Sequence, residues 1–264
     1  MSTRLSTGGR LIDRARRLSF TFNGRTLTGY AGDTLASALL AQDQMLVGRS
    51  FKYHRPRGIV ASGHEEPNAL LGLGTGARFE PNQRATVTDL FDGAETASQN
   101  HWPSLNFDIG AVNNRLSKFL PAGFYYKMFM HPRSFWKHVY EPFIRRSAGL
   151  GKVPQVKDAD RYEQAYAHAE TVVVGGGVAG LTAALAVAKD GHRVIVLEQN
   201  GHWGGRAQGD GGMIDDAPTS AWVNAAVRFR VGAWPDQRQK LLRAEPRAQA
   251  GLGIQRRFDG RRAV

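Results

Sequence analysis

The sequence predicts an α/β chain of two units, a small mixed β-sheet with one helix and then an open βαβ unit. Three observations predict it. Alternating apolar residues over Leu18–Phe22 run into Asn23-Gly24, the strongest short hairpin signal, and a return strand follows. A β-branched run, Thr171–Val174, is followed by glycines at 175, 177 and 180 and then by an Ala/Leu-rich stretch. After about Val227 the apolar periodicity stops, and polar sequence rich in Arg, Gln, Ala, Pro and Gly takes over.

Residues 1–16 read as a polar, basic arm. Leu18–Phe22 and Arg25–Tyr30 then form a hairpin. Gly32-Asp33-Thr34 offers an N-cap, and Leu35–Ala41 is a helix with Leu35, Leu39 and Leu40 on one side. Met45–Gly48, Asn68–Leu73 and Arg84–Thr88 supply short strands, and Ser50–Gly63 is a basic loop bearing Pro and Gly. Hairpin, helix and short strands make a β-grasp domain over residues 17–90. Residues 91–168 form a connecting segment without repeats, in which Phe124-Tyr125-Tyr126 and Phe135-Trp136 read as core or subunit contact before cofactor contact. The polar stretch 151–168 reads as a linker ending in a short helix.

Residues 169–227 read as a partial Rossmann-like domain. Thr171–Val174 suits a fully buried parallel strand. Gly175 allows a tight turn, Gly177 lets backbone approach a pyrophosphate, and Gly180 lets the helix pack closely. The helix runs through Leu181–Lys189 and stops at Gly191. Val194–Leu197 is the second strand, and Glu198 at its tip stands where an acid bonds a ribose 2′-OH. Such an acid repels a 2′-phosphate, so NAD or the ADP half of FAD suits the motif better than NADP. Gly204-Gly205-Arg206 is the pair of glycines plus arginine common in two-dinucleotide flavoproteins. The candidate cofactor-binding set is Gly175, Gly177, Val178, Ala179, Gly180, Glu198, Gln199, Gly204, Gly205 and Arg206. No paired spacing of Asp, Glu or His demands acid–base work, so no catalytic residue is assigned. His192 and His202 read as surface residues, and Trp203 reads equally as cofactor neighbour or ordinary core.

Composition narrows the classes. The 264 residues contain no cysteine, which excludes disulfides, thiolate metal sites and cysteine-ligated iron–sulfur clusters. The N-terminus lacks a signal-peptide core, and no run is long enough to span a bilayer, so a cytoplasmic protein without membrane association is expected. The net charge is +12, but residues 227–264 alone carry ten basic residues against three acids. Neither this tail nor the N-terminal arginines are interleaved with aromatics, so nucleic acid is not expected as a partner.

Residues 228–264 offer no β-branched run for a third parallel strand. Two readings stand: a natural basic tail, or a shifted or truncated reading frame, since such composition is typical of out-of-frame GC-rich coding. Composition favours the second. Thr219–Val227 still reads as a helix of the expected domain. An open sheet of this kind is expected to bind NAD much more weakly than a complete domain.

Three segments carry a family resemblance: Gly32–Ala41 (GDTLASALLA), Gly48–Ile59 (GRSFKYHRPRGI) and the stretch from Val172 to Ala207. Over about residues 10–227 the chain resembles the N-terminal part of α subunits of heterotetrameric sarcosine oxidases. Related α subunits of amino-acid dehydrogenases carry a [2Fe–2S] cluster on a C-x₄-C-x₂-C loop. Laid on this chain, those positions fall on Ala61, Glu66 and Ala69, so the resemblance implies a ferredoxin-like β-grasp that has lost its cluster and holds no metal. It also implies an oxidoreductase acting on CH–NH donors, in which the chain binds NAD and assembles with β, γ and δ subunits. In such a complex the β subunit holds FAD, covalent FMN lies near the α/β interface, and tetrahydrofolate binds a C-terminal domain. Sarcosine and oxygen would give glycine and hydrogen peroxide. Lys52, His54, Arg55 and Arg57 read as a loop that shapes the former cluster site and docks against a neighbouring domain, before contact with an acidic partner or a flavin phosphate. The alternatives are an FAD-binding α subunit of an amino-acid dehydrogenase, and a non-functional scaffold fragment. The isolated chain is expected to be inactive.

Overall fold

The computed structural model describes residues 2–119, 129–147 and 168–228, together with residues 123, 151, 154–157 and 166 and the backbone of residues 240–243. The chain divides into two compact units, one of Met1–Thr7 with Ile12–Ala159 and one of Gly8–Leu11 with Asp160–Val264.

The first unit is built on a hairpin of β1 (Asp13–Phe22) and β2 (Arg25–Ala31). Asn23 and Gly24 both take positive φ, 50° and 78°, as a two-residue turn that matches strand twist requires. Helix α1 (Leu35–Ala41) starts at Thr34, whose side chain accepts the Ser37 N–H at 3.2 Å, while the Ser37 hydroxyl accepts the Thr34 N–H at 3.0 Å. After the two-residue pair β3 (Gly48–Arg49) and β4 (Pro56–Arg57) come β5 (Leu70–Leu73), β6 (Glu80–Arg84) and β7 (Ala94–Ser98). The sheet order is β2-β1-β7-β5-β6, with β7 parallel to β1 and the other pairs antiparallel. Phe20, Leu35, Leu39 and Leu71 fill the space between α1 and the sheet and are 0–1% exposed. Each such side chain contributes about 1.5–3 kcal/mol by burial.

Several sequence expectations change here. Residues 1–16 are not simply an arm, because β1 begins at Asp13 and Arg4 forms a bidentate pair with the buried Asp33 at 2.6 and 3.0 Å. No strand covers Met45–Val47, and β3 begins at Gly48. Residues 85–87 turn, and the strand of that region lies earlier, at Glu80–Arg84. β7 falls inside the supposed connecting segment, so the sheet does not close at residue 90. Its sequence, AETAS, alternates buried and exposed but carries no large apolar residue to announce it. Phe124-Tyr125-Tyr126 and most of 151–168 lie outside the described residues, and Phe135 and Trp136 are exposed.

The second unit opens with β8 (Thr171–Val174), α4 (Val178–Lys189) and β9 (Val194–Glu198), numbered after two short helices of the first unit, α2 (Val112–Arg115) and α3 (Glu141–Ser147). β8 and β9 pair in parallel, Thr171 opposite Val194 through Val174 opposite Leu197. Ala184 on α4 packs against Val194 and Val196, with Val173 and Trp203 at the margin. Gly191 follows the helix at φ 86°. Then come α5 (Ala207–Asp210), the two-residue pair β10 (Met213–Ile214) and β11 (Ala217–Pro218), and α6 (Thr219–Arg228), the helix read over 219–227.

Two expectations fail in this unit. β8 is not fully buried: Val172 and Val174 are 55% and 82% exposed, because among the described residues only one face of the strand is covered. The tail does supply a third strand. The backbone of β12 (Lys240–Arg243) runs parallel to β9, from Lys240 opposite Ile195 to Arg243 opposite Glu198, and the order becomes β12-β9-β8. A strand pairs through its backbone, so a four-residue stretch without β-branching can still add to an open edge.

Candidate dinucleotide site

The site forms where β8 gives way to α4. Gly175 takes φ 103°, a conformation open to glycine, and its N–H donates to the Leu197 carbonyl at 2.8 Å. Gly180 is required by contact: a Cβ there would lie 1.9 Å from the Gly175 carbonyl oxygen. Gly177 is the N-cap of α4 at φ −71°, and a Cβ there would meet nothing within 4 Å. The approach to the helix end is therefore open. Among the described residues no side chain caps α4 and no acid stands in its first turn, so its leading N–H groups and positive dipole end remain available to an anion.

Glu198 closes the turn from the side. The residue is 8% exposed, and its carboxylate accepts the Gly176 N–H at 2.6 Å through Oε2 and the backbone and side-chain N–H groups of Asn200 at 2.8 and 2.9 Å through Oε1. With two acceptor positions on each oxygen, Oε1 is filled by Asn200, and Oε2 keeps one position beyond its bond to Gly176. The second glycine pair comes alongside. Gly204 donates its N–H to the Gly176 carbonyl at 2.8 Å and bridges to Gly177, while a Cβ on Gly205 would lie 3.7 Å from the Gly177 Cα.

Seven of the ten sequence-derived positions thus meet at one turn: Gly175, Gly177, Val178, Gly180, Glu198, Gly204 and Gly205. Ala179 and Arg206 are exposed beside it, Arg206 as the N-cap of α5, and Gln199 is exposed after β9. Sequence reasoning passed over Gly176, which both donates to Glu198 and leaves room for the Trp203 ring, 2.4 Å from where its Cβ would stand. Three consecutive glycines, where the motif asks for two, were the available signal. Trp203 is partly buried and packs against the small core of this unit. His192 is exposed, 3.5 Å from Glu170. An open Gly177, an uncapped helix end and an acid at the strand tip fit a dinucleotide.

In the first unit the basic loop is tied to its own unit, although Arg55 and Arg57 are exposed. His54 Nδ1 lies 2.7 Å from Asp108 Oδ2, Arg55 Nε donates to Asn114 Oδ1 at 2.8 Å, and the Arg55 guanidinium stacks on Tyr53. Arg49 donates to the Leu105 carbonyl at 2.7 and 2.9 Å. These side chains fasten the 48–58 loop to residues 102–115 within their own unit.

Residues 15–101 match the family described as a 2Fe-2S iron-sulfur cluster binding domain, and residues 170–259 match the family of FAD dependent oxidoreductases. The second match extends past the change of composition at 227. Fold, turn and matches define a class: a ferredoxin-type domain joined to a flavoprotein-type dinucleotide domain. Within it the chain is a homologue of sarcosine oxidase α subunits. It is 56% identical over 205 residues to the sarcosine oxidase subunit alpha of Rhizobium meliloti (strain 1021), which covers 78% of this chain and 21% of that one. The subunits alpha of Corynebacterium sp. strains U-96 and P-1 are 29% and 30% identical over 225 and 217 residues, covering 84% and 82% of this chain and 18% of each relative. The chain spans about a fifth of the length of these relatives. A cysteine-ligated cluster does not fit its residues, because the sequence has no cysteine and Ala61, Glu66 and Ala69 offer no thiolate.

Proposed function

We propose that the second unit is the dinucleotide-binding portion of a sarcosine-oxidase-type α subunit and that it holds NAD by its ADP half. The observation that carries this reading is the carboxylate of Glu198, fixed between Gly176 and Asn200 beside the uncapped end of α4. Gly177 leaves room for the pyrophosphate to reach the first-turn N–H groups, and Glu198 accepts a hydrogen bond from the adenosine ribose. Its charge opposes a 2′-phosphate, which selects against NADP. Gly204, Gly205 and Arg206 lie along the phosphates.

FAD is the second reading, favoured by the match of residues 170–259 to FAD dependent oxidoreductases. The same residues would hold its ADP half, and the isoalloxazine, when bound, supplies hydride acceptance. The two readings separate by spectrum. A chain that keeps yellow flavin absorbance through purification is an FAD site. A colourless chain that binds NAD in equilibrium dialysis, and NADP at least ~10-fold more weakly, is an NAD site.

For the whole protein we propose the activity named for the relatives, oxidation of sarcosine, and by resemblance we take it to be an oxidative demethylation. By the same resemblance, oxygen is reduced to hydrogen peroxide, the one-carbon unit passes to tetrahydrofolate, and FAD and FMN are held with a β subunit in a cytoplasmic complex that includes γ and δ. The proposed role of this chain is binding and assembly, and no catalytic residue is assigned to it. Copurification of tagged chain with the three other subunits, and sarcosine-dependent peroxide formation by that complex, test this part.

A further inference from the structure

The loop that matches a cluster-binding domain is not empty of charge. Glu66 is fully buried, and its carboxylate is wrapped by four backbone N–H groups. Oε2 accepts from Val60 and Ala61, both at 2.7 Å, and Oε1 accepts from Asn68 at 2.7 Å and Ala69 at 3.2 Å. Ferredoxin ligands of C-x₄-C-x₂-C spacing would stand at positions 61, 66 and 69. The carboxylate therefore springs from the middle ligand position and binds the backbone at both of the others. The loop is pinned from outside as well: Arg84 Nε donates to the Glu66 carbonyl at 2.9 Å, and the Thr86 hydroxyl donates to the Gly63 carbonyl at 2.7 Å.

Converging buried N–H groups need acceptors, and a carboxylate supplies four acceptor positions at one point; leaving four such groups unmet would cost more than the fold can spare. In an iron–sulfur domain the cluster's own sulfurs are such acceptors. We propose that the Glu66 carboxylate stands in for the cluster, as a built-in internal anion that closes the 60–69 loop and lets the first unit keep a ferredoxin-type fold as an iron-free, redox-silent scaffold. This goes beyond the absence of cysteine, since a domain that merely lost its ligands would leave the N–H groups facing a void. The inference concerns the first unit alone and stands whichever dinucleotide the second unit binds.

Two experiments on the full chain test it. The first measures amide hydrogen exchange in wild type, Glu66→Gln and Glu66→Ala. Glutamine keeps the shape but loses the charge and turns two acceptor positions into donors. Exchange at Val60, Ala61, Asn68 and Ala69 should quicken at least ~10-fold in both variants, while the β1–β2 amides stay protected as a control for folding. Unchanged protection of the four amides in Glu66→Gln would overturn the proposal, because a packing role alone tolerates that change. The second is anaerobic reconstitution of wild type with ferrous iron and sulfide, followed by removal of unbound metal. The proposal expects no acid-labile sulfide and no visible charge-transfer bands. Two irons per chain with those bands would overturn it even if the variants fail to fold.

Discussion

The Glu198 carboxylate accepts the Gly176 N–H at 2.6 Å and so joins the end of β9 to the glycine turn after β8. One side chain thereby shapes the turn and presents a negative charge where a ribose would lie. Glu198→Gln keeps an oxygen for Gly176 and removes the charge. It should weaken NAD binding by about 10-fold and narrow the preference over NADP. Glu198→Ala leaves the buried Gly176 N–H unmet and should also cost about 1–3 kcal/mol of stability in this unit. Parallel NAD and NADP titrations of both variants, with thermal melts, check the two effects separately.

Gly177 and Gly180 should respond differently to alanine. At Gly180 the added Cβ would lie 1.9 Å from a backbone oxygen, so α4 must move, at a cost of about 1–3 kcal/mol. At Gly177 the Cβ meets nothing within 4 Å and φ is already −71°. Gly177→Ala should stay within about 1 kcal/mol of wild type yet bind dinucleotide at least ~10-fold more weakly, because the methyl occupies the phosphate approach. Denaturant melts beside binding isotherms distinguish a folding glycine from a binding one.

Asp33 is 1% exposed and accepts from Arg4, Tyr30 and Ser37. Asp33→Ala strands the Arg4 guanidinium and the Tyr30 N–H together and should destabilise the first unit by about 3 kcal/mol. Arg4→Ala should cost less, since the hydrogen bonds to Tyr30 and Ser37 survive. Urea melts followed by a probe in this unit would rank the two.

Glu66 gives the first unit a pH dependence of known sign. Burial raises its carboxyl, but hydrogen bonds from Ala61, Asn68, Val60 and Ala69 outweigh burial and hold it below its ordinary value of 4.5. The unfolded chain therefore takes up this proton first as pH falls. The stabilisation is complete above about pH 4.5 and disappears as pH drops through the folded value. Melting temperature measured from pH 7 to pH 3 should fall in wild type in the acid range, and this component should be missing in Glu66→Gln.

Much of the fold was legible because its signals were local. Asn23-Gly24, the Thr34 cap, the β-branched run at 171–174 and Gly191 each specify backbone by their own chemistry, and each element stands where they put it. The expectations that failed concern pairing over distance. β7 is a strand because β1 and β5 flank it, and AETAS alone carries no such mark. β12 adds to a backbone edge, which composition does not record. Arg4 reads as one more arginine of a basic arm until Asp33 appears beneath it. At the dinucleotide turn the spacing was sufficient for seven positions; the third consecutive glycine was the one sign of Gly176, and nothing local marked Asn200, which with Gly176 holds Glu198. Glu66 was legible only as a missing cysteine, and its four N–H partners appear once the loop is folded.

The most direct test of the central claim is a calorimetric titration of the purified 264-residue chain with NAD and, separately, with NADP. One saturable NAD site per chain is expected, with NADP weaker by at least ~10-fold and that difference narrowed in Glu198→Gln. Equal binding of both nucleotides, or binding of neither by a chain that also carries no flavin, would contradict it.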